Sequence, residues 1–212
     1  MKKVDFSLMF VTDDRITDNE KFYWLLEKVL IGGATVIQLR EKNIETINFY
    51  KRALEVKKIC DTFKIPLIIN DRLDIALSID ADGLHLGQND MPVNIARKYL
   101  GKNKIIGVSV SNKKQLETAN TSGADYIGLS PIFKTNTKTE NIATPMGLFG
   151  LKSLKSLTKK PIICIGGINS KNIEDVIIKG SDGVAIVSAI SESLSPGKIT
   201  KKLKNLILKA KR

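Results

Sequence analysis

Two aspartates, Asp71 and Asp90, stand at matched places in the chain. Each follows a short apolar run, Leu67 to Ile69 before Asn70 and Asp71, and Leu84 to Leu86 before Gln88, Asn89 and Asp90. A segment of helical length separates the two runs. A strand, helix and strand of this size make a right-handed crossover, so the strands are expected to be parallel, with both acids at one rim. Two carboxylates flanked by amide side chains make an all-oxygen cradle suited to Mg²⁺, which is usually held by one or two carboxylates together with substrate phosphates. A plainer reading stays open, in which each aspartate caps the helix that follows it.

Cations are expected opposite these acids. In Gln38-Leu39-Arg40-Glu41-Lys42 the strand period of two puts Gln38, Arg40 and Lys42 on one side. Arg forks onto phosphate oxygens and Lys supplies a point charge, so a polyanionic guest is indicated. The alternative is that Arg40 forms a structural ion pair with Glu41 or Asp71. Gly166-Gly167 and the turn Val187-Ser188-Ala189-Ile190 supply the free backbone N–H groups of a phosphate site, although a tight turn needing positive φ would also explain the glycines. The long, hydroxyl-rich loop over residues 131–145 carries Thr135, Thr137 and Lys138 and reads as a lid over a phosphorylated substrate. The sole histidine, His85, lies within an apolar run, where a neutral, hydrogen-bonded core imidazole is expected rather than an acid or base.

The elements that must position these residues form a regular series. Eight apolar runs can be counted: Leu8 to Val11, Thr35 to Leu39, Ile65 to Ile69, Gly83 to Leu86, Lys104 to Val108, Tyr126 to Leu129, Ile162 to Ile165 and Val184 to Val187. An amphipathic segment follows each, and most runs are continuously apolar, as parallel strands covered on both faces should be. Eight such units in 212 residues predict a single (β/α)₈ TIM barrel over residues 1–212. An open doubly wound sheet would carry a glycine-rich turn after its first strand, whereas this chain has Val11-Thr12-Asp13-Asp14 there. In a barrel the active site lies where strands end, and Thr12, Asp13, Arg40, Asn70, Asp71, Asp90, Ser109 and Ser188 all collect there.

Composition narrows the functional classes. The net charge of +12 comes largely from lysines spaced along helices, such as Lys51, Lys57 and Lys58, and Lys198, Lys201, Lys202 and Lys204. That spacing describes a solvated helix face, and no aromatic interleaving suited to stacking bases accompanies it. No apolar run is long enough to cross a membrane, and the N-terminal apolar stretch is too short for a signal peptide. Two cysteines without metal-ligand spacing fit a reduced, cytoplasmic protein.

Several motifs in order resemble the thiamine phosphate synthase family: QLREK at 38 to 42, INDR at 69 to 72, ADGLHLGQND at 81 to 90, GADYIGLSPIF at 123 to 133, TNTK at 135 to 138 and IGGI at 165 to 168. The resemblance runs from Phe10-Val11-Thr12-Asp13 to Val187-Ser188-Ala189-Ile190. It implies a (β/α)₈ enzyme that joins a hydroxymethylpyrimidine diphosphate to a thiazole phosphate, releasing diphosphate and giving thiamine monophosphate. The same resemblance assigns the pyrimidine diphosphate to Gln38, Leu39, Arg40, Glu41, Lys42, Asn70, Ser109 and Lys138, with Arg40, Lys42, Lys138 and Ser109 as the catalytic set. Mg²⁺ falls to Asp71 and Asp90, and the thiazole phosphate to Thr135, Asn136, Thr137, Gly167, Val187 and Ser188. Ser130 before Pro131, Cys164, and Ser111-Asn112 depart from the family's commoner residues without removing a ligand. The partners implied are phosphorylated small molecules, with neither nucleic acid nor membrane, and a homo-oligomer is compatible with the sequence. Two rival readings are a thiazole tautomerase on a related barrel, which would have no diphosphate to hold, and a non-catalytic protein using its positive charge to bind anions or nucleic acid.

Overall fold

The computed structural model describes residues 4–135 and 143–212. Strands β1 (Leu8–Val11), β2 (Val36–Leu39), β3 (Leu67–Asn70), β4 (Gly83–Leu86), β5 (Ile105–Val110), β6 (Tyr126–Leu129), β7 (Ile162–Cys164) and β8 (Gly183–Ile186) are parallel and close into a barrel in sequence order. Closure is made by β1, whose Met9 lies in register with Val36 of β2 and with Ala185 of β8. Between the strands come α1 (Asn19–Ile31), α2 (Thr46–Phe63), α3 (Leu73–Ser78), α4 (Val93–Leu100), α5 (Lys113–Thr121), α6 (Gly147–Lys155) and α7 (Ile173–Ile178). After β8 a short helix, α8 (Ser188–Ser191), stands where the sequence reads as a turn, and α9 (Pro196–Ala210) follows with Pro at its first turn. The expected barrel is therefore what forms, with β5 ending two residues beyond its apolar run.

The apolar runs are continuous because each strand is buried on both faces, and the two faces belong to different layers. Leu8, Phe10, Ile37, Leu39, Leu67 and Ile69 point outward and pack with helix residues such as Phe22, Leu26, Val56 and Leu203. Met9, Val11, Val36, Ile68, Ile105, Tyr126, Ile163 and Ala185 fill the barrel itself. The basic charge sits where amphipathic spacing puts it. In α9, Leu203 and Ile207 are buried while Lys201 and Lys202 face solvent, and Lys204 reaches Asp5 at 3.0 Å. Among the described residues no helix is long and apolar enough to cross a membrane.

The interior of an eight-stranded barrel is only just wide enough for its side chains. This chain fits a large polar pair inside it by leaving out neighbouring side chains. Tyr126 lies in register with Gly107, where a Cβ would sit 2.1 Å from the Tyr126 Cζ. Gly128, the next inward position of β6, would place its Cβ 2.8 Å from the His85 Cε1. In the space so made, His85 Nδ1 meets the Tyr126 hydroxyl at 2.8 Å and Nε2 meets the Ser109 hydroxyl at 2.9 Å. His85 is thus the buried, hydrogen-bonded imidazole that the sequence predicts, and burial pushes its pKa down to about 4.

Two predictions follow from this interior. Adding a methyl group at Gly107 overpacks the barrel, so Gly107→Ala is expected to lose about 1–3 kcal/mol of stability, read from the urea unfolding midpoint. The second concerns acid. Unfolded, His85 takes up a proton near its ordinary pKa of about 6.5, but folded only near 4, so its contribution is whole above about pH 6.5 and is lost as pH falls towards 4. Asp90 and Glu41, both held up by burial, take protons early in the native state and offset part of that slope. The stability difference between the parent and His85→Gln should therefore narrow on acidification, by an amount on the order of 3 kcal/mol across the whole window. A constant difference from pH 7 to pH 4 in urea titrations would contradict it.

Candidate active site at the carboxyl ends of the strands

The two acids meet at the rim, and the chain bends sharply to bring them there. Asp71 follows β3 in the left-handed region, with φ 62°, a conformation that costs a non-glycine residue about 1 kcal/mol or more and gathers at functional sites. Its N–H donates to the His85 carbonyl at 2.8 Å, and the Arg72 N–H turns back to the Asn70 carbonyl at 2.7 Å. Neither acid caps a helix. The cap positions of α3 and α4 are Arg72 and Pro92, and neither makes a side-chain cap hydrogen bond, which removes the capping alternative. The Asp90 carboxylate instead accepts from the Gly87 N–H at 2.6 Å, an approach that a Cβ at Gly87, 2.9 Å from Asp90 Oδ2, would obstruct. Asp90 is held above the ordinary carboxylate range, first by burial and then by its contact with the carboxyl of Asp71. The Lys42 ammonium donates to Asp71 Oδ2.

The QLREK segment divides by the strand period. Gln38, Arg40 and Lys42 keep to the inner side. The Gln38 amide nitrogen reaches the Met9 sulfur at 3.5 Å, and the Gln38 side chain lies beside the Tyr126 hydroxyl. The Arg40 guanidinium pairs with Asp14 at 2.8 Å, not with Glu41 or Asp71, and the Arg40 backbone N–H donates to the Thr12 hydroxyl at 2.9 Å. Leu39 and Glu41 take the other side. Leu39 lies in the outer apolar layer, and Glu41 pairs with buried Arg52 at 2.6 Å. Arg52 also donates to Asn19 Oδ1 at 2.7 Å and stands 4.6 Å over the Phe22 ring, so the segment is anchored to α1 and α2. Burial keeps the Glu41 pKa raised despite that partner. For a ligand at the mouth, Leu39 and Glu41 therefore offer backbone groups.

On the far side of the rim the glycine pair is required twice over. Gly166 has φ 104° and Gly167 φ 64°, so the tight-turn explanation holds. The loop after β6 also lies against them, with Phe133 N–H donating to the Gly166 carbonyl at 3.0 Å. A Cβ on Gly167 would stand 2.5 Å from the Lys134 carbonyl oxygen. Val187 and Ser188 open α8, which is tied back to β1. Arg15 forks onto Asp13 at 2.8 and 2.6 Å, Ser191 donates to Asp13 Oδ2 at 2.7 Å, and Arg15 reaches Glu192 at 2.8 Å. Burial alone would raise the Asp13 pKa, but the hydrogen bonds from Arg15 and Ser191 outweigh it and hold the group low. Ser109 ends the interior chain of hydrogen bonds, and its carbonyl accepts from Gln88 at 2.6 Å. Thr135 is half-buried in the loop after β6, while Asn136, Thr137 and Lys138 lie outside the described residues.

Asp71, Asp90, Lys42, Arg40, Asn70 and Ser109 thus share one mouth, as the sequence reading expects. That reading does not single out Asp14, the partner of Arg40, or Tyr126, the support of His85. A signal for Tyr126 exists in the sequence: it stands two residues before Gly128 on one strand, on the same inward face. Among the described residues no group of three or more His, Cys, Asp or Glu side chains converges on a metal position.

Comparison with known proteins shows the family. The family described as thiamine monophosphate synthase matches residues 8–190. A thiamine-phosphate synthase of Clostridium acetobutylicum is 47% identical over 190 residues, covering 90% of this chain and 89% of the relative. One from Clostridium botulinum is 45% identical over 188 residues, covering 89% and 91%. A solved thiamine phosphate pyrophosphorylase from Pyrococcus furiosus superposes with a TM-score of 0.88 at 32% identity, covering 98% of each chain. A 3-hexulose-6-phosphate synthase, at 17% identity and a TM-score of 0.71 over 94% of this chain and 99% of its own, shares the fold alone. With the family match over most of its length and relatives at 45% and 47% identity, the chain belongs to the thiamine monophosphate synthase family.

Proposed function

We propose that this chain, acting as a single catalytic domain, is a Mg²⁺-dependent thiamine phosphate synthase. Its substrates would be 4-amino-2-methyl-5-(diphosphooxymethyl)pyrimidine and a thiazole phosphate, and its products thiamine monophosphate and diphosphate. The observation that carries the reading is the abutting pair Asp71 and Asp90 with Lys42 and Arg40 at the same rim. Two carboxylates in contact raise each other's affinity for positive charge. Their all-oxygen donor set fits Mg²⁺, which takes its remaining ligands from water and phosphate. A thiazole tautomerase would have no use for that set of cations.

In this scheme the bond between the pyrimidine methylene and the diphosphate oxygen breaks, and its electron pair leaves with diphosphate. The resulting cation is stabilised by the aminopyrimidine, and the thiazole nitrogen donates the pair that forms the new bond. Bound Mg²⁺ would supply charge neutralisation on the departing diphosphate. Arg40 would fork onto diphosphate oxygens on leaving Asp14, and Lys42 would exchange Asp71 for the same anion. Lys138 is assigned to the diphosphate by its TNTK motif alone. Gln38, Asn70 and Ser109, with the backbone at Leu39 and Glu41, would hold the pyrimidine. Gly167, Val187, Ser188, Thr135, Asn136 and Thr137 would receive the thiazole phosphate. The scheme asks no general base of the protein, in keeping with a His85 that is buried and neutral. A cytoplasmic location belongs to the same proposal, supported by two free, buried thiols at Cys60 and Cys164.

Turnover of both substrates with Mg²⁺, followed by release of diphosphate, is the direct test. Asp71→Asn and Asp90→Asn should each lower kcat/KM by about 100-fold or more and weaken Mg²⁺ activation, while thermal stability is kept. Full activity with unchanged Mg²⁺ dependence in both variants would remove the cradle. The two anion positions should also separate. Arg40→Ala is expected to weaken the pyrimidine diphosphate by about 10–100-fold and leave thiazole phosphate affinity intact, with Ser188→Ala doing the reverse in calorimetric titrations. Equal losses for both ligands in both variants would mean that the mouth is not divided in this way.

A further inference from the structure

The interior chain of hydrogen bonds has a direction, and that direction has a consequence for Ser109. The hydrogen bond at the Tyr126 hydroxyl is the 2.8 Å contact with His85 Nδ1, with the Gln38 side chain beside it. The Tyr126 side chain is fully buried, with the Phe6 ring 4.9 Å away and Met9 and Ile105 in the same apolar cluster. A buried hydroxyl proton without an acceptor is costly. The acceptor present is His85 Nδ1, at 2.8 Å. An imidazole that accepts at Nδ1 while neutral carries its proton on Nε2. Nε2–H then donates to the Ser109 oxygen at 2.9 Å, and the Ser109 proton is directed elsewhere. Ser109 is half-buried at the end of β5, at the mouth, with its carbonyl fixed by Gln88.

We infer that His85 is a positioning residue for the reaction: held by Tyr126 in its Nε2–H form, it fixes the Ser109 hydroxyl as a hydrogen-bond donor to a lone-pair acceptor on the pyrimidine diphosphate. This rests on the function proposed above. Negative charge develops on the departing diphosphate, and a preorganised donor stabilises it without reorienting. Gly107 and Gly128 leave the room that the Tyr126 and His85 rings occupy, so glycine at two interior strand positions, where it is ordinarily unfavourable, follows from the same arrangement. The reversed chain, with the Gln38 carbonyl accepting from Tyr126 and Nδ1–H donating to it, would make Ser109 a donor to His85 and leave no hydroxyl proton for a ligand.

Since the chain has one histidine, ¹⁵N-histidine labelling of the whole protein gives a single imidazole whose tautomer NMR reads directly. The expected result is protonated Nε2 and an accepting Nδ1 at neutral pH, with both tautomers populated in Tyr126→Phe. Kinetics test whether the chain acts through Ser109. Tyr126→Phe should lower kcat by about tenfold, roughly one hydrogen bond's worth, with KM for the thiazole phosphate unchanged. In a Ser109→Ala background the same substitution should cost nothing further. An Nδ1–H tautomer in the parent would overturn the inference, as would an equal loss from Tyr126→Phe in both backgrounds. A parent protein without turnover would overturn the functional reading and with it the positioning role, while the tautomer would still report the direction of the chain.

Discussion

The structure depends on how little room eight strands leave inside a closed barrel. In most of the interior that limit is met with apolar side chains, Met9, Val36, Ile68, Ile105 and Ile163 among them. Among them the chain instead places Tyr126, at the start of β6, and His85, near the end of β4, whose rings stand 5.5 Å apart, and makes space for them with glycines on β5 and β6. Polar groups buried at that depth must be satisfied by one another, because an unpaired one costs more than the bond it could have made. The requirement extends upward to Ser109 and sideways to Gln38. Residues of the mouth are in this way held from below by the core, and the floor of the site is as rigid as the barrel.

Above that floor the balance is electrostatic. Arg40 and Lys42 are held by Asp14 and Asp71, with Arg15 on Asp13 as a third pair at the same rim. Such pairs keep cations oriented in a partly buried place without burying them fully, so an anion that reaches the rim competes for them. A polyanion of higher charge can take Arg40 and Lys42 from their carboxylates. The third pair serves differently: Asp13 is buried and bonded by Arg15 and Ser191 together, so it fastens α8 to the end of β1. The Glu41–Arg52 pair is deeper still and anchors the segment that bears Arg40 and Lys42. Charges near this mouth therefore divide into those that can change partners and those that hold the backbone, and the deeper burial of the carboxylate in Asp13 and Glu41 than in Asp14 and Asp71 separates the two.

Much of this was legible in the sequence because it follows from periodicity and chain crossover alone. Continuous apolar runs told of strands buried on both faces, and the crossover placed Asp71 and Asp90 on one rim. What failed was the choice among neighbours of similar chemistry. An Arg40–Glu41 pair conflicts with the same period of two that groups Gln38, Arg40 and Lys42, because adjacent strand residues face opposite ways. Asp14, from the neighbouring strand's end, takes Arg40, and nothing local distinguishes Asp14 from Asp13 before the barrel closes. The capping alternative failed for a local reason, since the left-handed turn at Asp71 moves the start of α3 past it. The short helix α8 was hidden because one turn of helix has no periodicity to detect.

The acid pair remains the part of the mouth that the neighbouring side chains balance least well. Asp71 and Asp90 bring two carboxyl groups into contact, and Lys42 brings one positive charge to Asp71. The raised affinity of Asp90 for a proton is the mark of that imbalance, since burial and a neighbouring carboxyl both favour the neutral form. A left-handed aspartate is an expensive way to bring a second acid to that spot unless the concentration of negative charge is itself useful. A dication would relieve the repulsion and release Lys42 for an anion. On the proposed function, the strain at Asp71, the glycine that admits Asp90 and the exchangeable position of Lys42 would have one common cause, the binding of multivalent positive charge beside a phosphorylated guest.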